Sequence, residues 1–276
     1  MRKIDRVLLG VLFLWMAGQF FGLDYGTGGG GVRQPLAVYA ALDVESQPIA
    51  INLGEAPIND SPSIANSRYA GTAFSLSVDG YWGTAAHVLN ACQYVDVELQ
   101  KAGGGFRTRP AIAWRALKGT DVAVMDTKRG MPGLALAVNA PESGENGFFF
   151  GYPMGQASAG YAVNIGKTRM VRFKGREREP ADVWTIYDFQ PAKDIVLGGN
   201  SGGPMMNAHG EVVGVVSAGN DRRGRVLTSM VPTLAPLKAF SHESFEARRV
   251  LTPSNYVEFG KILRERGQVV RIDCAT

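Results

Sequence analysis

Short apolar stretches separated by turn residues dominate the chain from about residue 69 to residue 231. In the first of them, apolar and polar residues alternate over 73–78, Asp79-Gly80 supplies a turn, and the apolar pattern resumes at 81–84. Similar runs follow at 94–99, 121–126, 147–151, 161–165, 183–189, 211–217 and 226–231. Many short strands with little helical periodicity predict an all-β barrel or sandwich.

The N-terminal region has a different pattern. Arg2, Lys3 and Arg6 precede an apolar run over residues 7–23, and this order is typical of a signal peptide or of a short membrane anchor. Both alternatives stay open, and either one exports the residues from 24 onward. Residues 24–66, with a glycine-rich stretch at their start, are interpreted as a linker and an extension.

The C-terminal region, residues 243–276, predicts a tail with one helix. Ser254-Asn255 is suited to cap that helix, which we expect to end near Gly267. A short strand over 268–272 follows it in the prediction.

Composition and charge exclude some function classes. The chain has 276 residues, 45% apolar residues and a net charge of +4, which is too small a bias to indicate nucleic-acid binding. The basic stretch 167–178 is interpreted as a solvated hairpin, with a site for an anionic surface as the less favoured alternative. Cys92 and Cys274 form a disulfide in one interpretation and remain two buried thiols in the other. The three histidines have no metal-ligand spacing, so neither a metal nor a cofactor is predicted.

Three segments carry the residue types of nucleophilic catalysis. Ser201 lies between glycines in the segment 198–204, where a tight turn lets the amides of Gly199 and Ser201 point at one oxygen atom. His87 follows small residues at a predicted strand end. Asp121 begins an apolar strand, where a carboxylate needs a partner such as a histidine. Together they supply a nucleophile, a base, an orienting carboxylate and an oxyanion hole.

These motifs, in this order, resemble those of the chymotrypsin-like serine peptidases, and most closely those of the HtrA/DegP-type bacterial branch. The matching segments are 84–87 for the base, 121–124 for the carboxylate and 199–204 for the nucleophile, and 151–155 resembles a loop of that branch. The similarity covers roughly residues 69–240. It implies two six-stranded antiparallel β-barrels with the site in the cleft between them, and a trypsin-like protease domain at 67–242.

Three departures from the family pattern modify this expectation. Asn200 stands where the digestive members have an Asp that pairs with a newly cut N-terminus, so activation by cleavage is not expected. The residues after 240 are too few for the PDZ domain of HtrA proteins, and the extension 32–66 has no counterpart. The sequence does not indicate an oligomeric state.

The resemblance also implies the substrate-binding residues. Ile195 would form the floor of the primary specificity pocket, and Ser217, Ala218 and Gly219 would form the strand that pairs with the substrate. Because no acidic residue lies at the pocket floor, we expect cleavage after a small or medium apolar residue.

The function predicted from the sequence is a serine endopeptidase that acts on proteins or peptides outside the cytoplasm, anchored to a membrane by residues 7–23. Two alternatives remain at this stage. One is a catalytically silent scaffold with the protease fold, and the other is a hydrolase that cleaves esters or other acyl groups with the same triad.

Overall fold

A computed structural model describes residues 51–57, 68–90, 92–101, 104–172, 177–191, 197–241, 244–245 and 250–275. In these ranges the strands are, in chain order, β1 (Ile51–Pro57), β2 (Arg68–Ser75), β3 (Tyr81–Ala85), β4 (Tyr94–Gln100), β5 (Phe106–Pro110), β6 (Ala113–Ala116), β7 (Val122–Asp126), β8 (Gly133–Leu134), β9 (Asn146–Gly151), β10 (Ser158–Arg172), β11 (Glu177–Gln190), β12 (Pro204–Met206), β13 (Val212–Asn220), β14 (Arg225–Ser229), β15 (Ser244–Phe245) and β16 (Val269–Ala275). The α-helices there are α1 (Val231–Leu234) and α2 (Tyr256–Glu265), and short 3-10 helices cover Ala86–Leu89, Pro153–Gly155, Asp221–Arg223 and Ala235–Phe240.

The first large sheet has the strand order β5-β4-β16-β2-β3-β7-β6. It curls back on itself because β5 and β6 are parts of one bent segment, which pairs with β4 on one side and with β7 on the other. Fully buried side chains fill its interior, among them Phe74, Trp82, Val97, Met125 and Ile272.

The last strand of the chain completes this first sheet. β16 lies between β2 and β4 and runs antiparallel to both. A disulfide joins Cys274 on β16 to Cys92 just before β4, which confirms the first of the two interpretations of the cysteines. Part of the predicted tail 243–276 is therefore built into a sheet whose other strands come from residues 68–126.

The second large sheet is a closed barrel of six antiparallel strands in the order β10-β11-β14-β13-β12-β9, closed by the pairing of β9 with β10. Its interior contains Phe149, Trp184, Met205, Val213 and Val226. The predicted fold class is confirmed, since one closed barrel and one curled sheet account for most of the described residues. β1, from the extension 24–66, adds to β10 as a parallel seventh strand.

The helix predicted near the C-terminus corresponds to α2, but the expected side-chain cap does not form. The Oδ1 atom of Asn255 accepts a hydrogen bond from the amide of Thr252 at 2.9 Å, and its Nδ2 atom donates to the carbonyl of Val250. The Asn255 side chain is thus used by the preceding turn rather than by the first amides of the helix. Gly267 follows the helix with a φ of 66°, the left-handed conformation that favours glycine at a helix end.

Several predictions fall on residues outside the described ranges. The anchor or signal peptide at 7–23, the glycine-rich linker and the pocket-floor residue Ile195 belong to this group. Within the described ranges, none of the helices has the length and apolar character needed to cross a membrane.

Candidate active site

His87 and Asp121 meet at one end of the first sheet. β3 and β7 pair antiparallel with Ala85 opposite Val122, so the residues just after β3 and just before β7 are neighbours. The backbone amide of His87 donates to Asp121 Oδ1 at 3.0 Å, and His87 Nδ1 lies 2.7 Å from Asp121 Oδ2. The carboxylate thus holds the ring through Nδ1, which is the arrangement that a general base acting through Nε2 requires.

The carboxylate of Asp121 is fully buried, whereas the imidazole of His87 is 21% exposed. A second acidic residue supports this arrangement from the second sheet. Glu179 on β11 is buried and accepts a hydrogen bond from the backbone amide of Asp121 at 2.5 Å. The peptide that carries Asp121 is therefore held by both sheets.

The loop that carries Ser201 lies against the strand that leads to His87. The amide of Thr72 donates to the carbonyl of Ser201 at 2.9 Å. A Cβ atom on Gly202 would be 2.1 Å from Thr84 Oγ1 and 3.0 Å from the nitrogen of Ala85, so only glycine fits this close approach. The structure therefore brings the predicted nucleophile to the end of β3, next to the turn that contains His87.

The peptide groups around Gly199 have defined orientations. The carbonyl of Gly198 accepts a hydrogen bond from the amide of Met154 at 3.0 Å. In a trans peptide the N–H points opposite to the C=O, so the amide of Gly199 is directed away from the 152–155 segment. The φ of Gly199 is 105°, a conformation that other residues rarely adopt.

Thr72 holds the next peptide of the same loop. Its hydroxyl donates to the carbonyl of Gly199 at 2.7 Å and accepts from the amide of Tyr152 at 3.0 Å. The side chain is completely buried on β2, so its hydroxyl depends on these two hydrogen bonds rather than on water.

The predicted substrate-binding strand is the outer part of β13. Ser217 is buried, Ala218 is half-buried and Gly219 is exposed, so the strand emerges at the surface beside the nucleophile loop. The amide of Gly202 donates to the carbonyl of Val216, which connects this strand to the loop. A Cβ atom on Gly219 would be 2.2 Å from Leu197 Cδ1, so an apolar side chain packs closely against this part of the strand.

Sequence reasoning did not identify Thr72, Glu179 or Met154 as parts of the site. Thr72 lies in an alternating strand, and Glu179 lies just beyond a basic stretch that was interpreted as a solvated hairpin. Their roles come from contacts between distant segments, for which no local sequence signal exists. The described residues contain no group of three or more His, Cys, Asp or Glu side chains that could hold a metal ion.

The chain is similar to known proteins in sequence and in fold. The chain is 27% identical over 159 residues to the uncharacterized protein y4bJ of Sinorhizobium fredii, a match that covers 57% of this chain and 23% of that protein. Among solved structures, the active form of the Rv3671c protease from M. tuberculosis aligns with a TM-score of 0.51 at 23% identity, over 64% of this chain and 75% of the other. The HtrA-type protease AlgW, solved with a decapeptide, aligns with a TM-score of 0.43 at 18% identity, over 61% of this chain and 50% of that one.

The similarity to the Rv3671c protease concerns the fold. The assignment to a family depends on a family model, which describes the trypsin-like peptidase domain and matches residues 71–215. Because this match covers more than half of the 276 residues, the chain belongs to the family of trypsin-like serine peptidases.

Proposed function

We propose that His87, Asp121 and Ser201 form the catalytic triad of this serine endopeptidase and that hydrolysis passes through an acyl-enzyme. The observation that carries the proposal is the double hydrogen bond of Asp121 to the amide and to the ring of His87. It fixes both the position and the tautomer of the imidazole, which a general base requires.

In this mechanism His87 Nε2 takes the proton of Ser201 Oγ while Oγ attacks the carbonyl carbon of the scissile bond. The C–N bond then breaks, and the imidazolium gives its proton to the leaving amine. A water molecule, deprotonated by the same imidazole, hydrolyses the resulting ester and restores the serine.

The amides of Gly199 and Ser201 would stabilise the negative charge that develops on the carbonyl oxygen. The orientation of the Gly198–Gly199 peptide supports this role, because its carbonyl is engaged by Met154 on the opposite side. The hydrogen bond from Thr72 to the next carbonyl holds the following peptide in place. The hole is thus expected to be formed before the substrate binds.

For specificity, we propose that Ser217, Ala218 and Gly219 pair with the substrate backbone and that Ile195 forms the floor of the primary pocket. The apolar contact of Leu197 with Gly219 supports a small or medium apolar side chain before the scissile bond. Profiling with a peptide library tests this preference, and a dominance of Arg or Lys at that position would refute it.

We also propose that the enzyme acts outside the cytoplasm and that residues 7–23 anchor it to the membrane. The disulfide between Cys92 and Cys274 supports an oxidising compartment. Membrane fractions of cells that express the full chain should retain the protein after carbonate extraction. A protease added from outside should digest it, and complete protection would contradict the proposed location.

A fluorophosphonate probe tests the triad directly, because it reacts with an activated serine. Labelling should be lost in Ser201→Ala and strongly reduced in His87→Ala. It should be unchanged in His209→Ala, which alters an exposed histidine in the turn after β12. No labelling of the folded wild type would favour the silent scaffold, and labelling with cleavage of esters but not of peptides would favour the acyl hydrolase.

A further inference from the structure

The side chain of Asn200 is completely buried beneath the loop that carries Ser201. Its Oδ1 atom accepts a hydrogen bond from Ser158 Oγ at 3.0 Å. The same oxygen lies against Gly151, where a Cβ atom would approach it to 2.4 Å. Asn200 separates Gly199 from Ser201, so its position determines the direction of both amides of the proposed oxyanion hole.

Ser158 is in turn contacted by a cation from the C-terminal helix. Arg264 on α2 is 8% exposed, and its Nη1 atom donates to the carbonyl of Ser158 at 2.9 Å. Burial lowers the pKa of the Arg264 guanidinium below its ordinary value. Removing a guanidinium from water costs free energy, which the hydrogen bond to Ser158 and the nearby Tyr152 and Glu265 offset in part.

The packing of α2 makes this contact possible. Gly260 lies one helical turn before Arg264, and a Cβ atom there would be 2.5 Å from Phe150 Cδ1 and 3.3 Å from Arg264 Nη1. The glycine therefore lets the helix approach β9 closely. The rings of Phe150 and Phe259, with centroids 6.1 Å apart, fix the helix at this distance.

We propose that Arg264 is a positioning residue for catalysis, which holds the oxyanion loop in its productive conformation by acting through Ser158 and Asn200. The proposal rests on the proposed function, since it assigns the loop 198–201 to oxyanion stabilisation. In the proposed arrangement, the Arg264 guanidinium holds the carbonyl of Ser158. The hydroxyl of Ser158 in turn holds the amide oxygen of Asn200. A small displacement of this oxygen would turn the amides of Gly199 and Ser201 away from the carbonyl oxygen of the substrate.

The experiment compares the wild type with Arg264→Met, Arg264→Lys and Ser158→Ala in the full chain. Lys261→Met is the matched control, because it removes a cation from the exposed face of the same helix. For each protein, kcat and KM on a peptide substrate, the rate of fluorophosphonate labelling and the affinity for a peptide boronate are measured. Thermal unfolding and near-UV circular dichroism show whether each variant is folded.

We expect Arg264→Met and Ser158→Ala to lower kcat by about 10- to 100-fold, with KM changed less than about 2-fold. Boronate affinity and the labelling rate should fall with kcat, Arg264→Lys should recover part of the loss, and Lys261→Met should behave as the wild type. A purely structural role would instead shift the melting temperature without this separation of kcat from KM.

The proposal is overturned if folded Arg264→Met keeps the wild-type kcat, or if kcat and KM change by similar factors. If Arg264→Met does not fold, Ser158→Ala decides, and wild-type kcat in that variant overturns the relay. Absence of labelling in the wild type would refute the proposed function itself. Wild-type labelling with unchanged variants would refute only the role of Arg264.

Discussion

The disulfide between Cys92 and Cys274 gives a prediction whose magnitude follows from the structure. It closes a loop of 182 residues and connects β16 to the segment before β4. Cys274 is fully buried, and Cys92 Sγ lies 3.3 Å from the carbonyl of Val88, next to His87. The bond therefore joins the last strand of the chain to the turn that carries the predicted catalytic base.

In the chain-entropy model, a cross-link that closes a loop of this length lowers the conformational entropy of the unfolded chain and so raises its free energy by about 5 kcal/mol. Cys92→Ala combined with Cys274→Ala should lower the free energy of unfolding by up to that amount. Since whole domains are stabilised by about 5 to 15 kcal/mol, the loss is large enough to unfold part of the population at 37 °C.

Denaturation in urea, followed by tryptophan fluorescence, measures this difference between the oxidised wild type and the double alanine variant. The wild type under reducing conditions is the control, and it should approach the variant because both lack the cross-link. The midpoint should move to a lower urea concentration, and the slope should stay the same or increase, because the unfolded chain without the cross-link exposes at least as much surface. A loss below about 1 kcal/mol would show that the unfolded chain is already constrained, and the reasoning from loop closure would be refuted.

Three further predictions concern substitutions of Thr72, Asp182 and Gly202. Thr72→Val removes the buried hydroxyl that contacts the oxyanion loop and should lower kcat by about 10- to 100-fold at similar KM. Thr72→Ser keeps the hydroxyl and should stay near the wild type. Equal kinetics of all three proteins would contradict this prediction. Burial raises the pKa of the Asp182 carboxyl from 3.8 to about 6, so the folded protein binds this proton more tightly and loses stability as the pH rises. The difference in unfolding free energy between the wild type and Asp182→Asn should therefore change by about 2 kcal/mol between pH 4 and pH 6, and parallel pH profiles would count against it. Gly202→Ala should abolish probe labelling, because the new Cβ would lie 2.1 Å from the Thr72 carbonyl oxygen. Gly104→Ala is the control, since Gly104 also has a positive φ, 87°, but has open space around it. That variant should lose only about 1 kcal/mol of unfolding free energy and keep its activity.

The sequence predicts those features of the fold that depend on local patterns. The alternation around Asp79-Gly80 corresponds to β2 and β3, with Gly80 at a φ of 109° in the turn between them. Asp121 directly precedes β7, as expected from its apolar neighbours, and His87 lies in the short 3-10 helix that follows β3. Local propensity and burial agree at these positions, so the sequence pattern alone predicts the strands there.

Other features depend on which segments meet in space, and the local pattern does not contain this information. The run 268–272 predicts a strand, but its register between β2 and β4 is set by packing across the whole chain. The extension was interpreted without a partner, whereas the structure pairs β1 with β10. The contact of Glu179 is not predictable for the same reason, because nothing in the sequence around this glutamate indicates that it accepts a hydrogen bond from the amide of Asp121.

The C-terminal segment connects these observations. β16 pairs along the whole of β2, the strand whose Thr72 contacts the carbonyls of Gly199 and Ser201. α2, which precedes β16, supplies Arg264 to the carbonyl of Ser158, and the hydroxyl of Ser158 contacts Asn200 in that loop. A chain that ended at residue 242 would therefore leave β2 and β4 each without one neighbouring strand and would lack Arg264. Residues 250–275 therefore belong to the same folded unit as the two sheets, since β16 completes the sheet that contains Thr72 and α2 contacts Ser158.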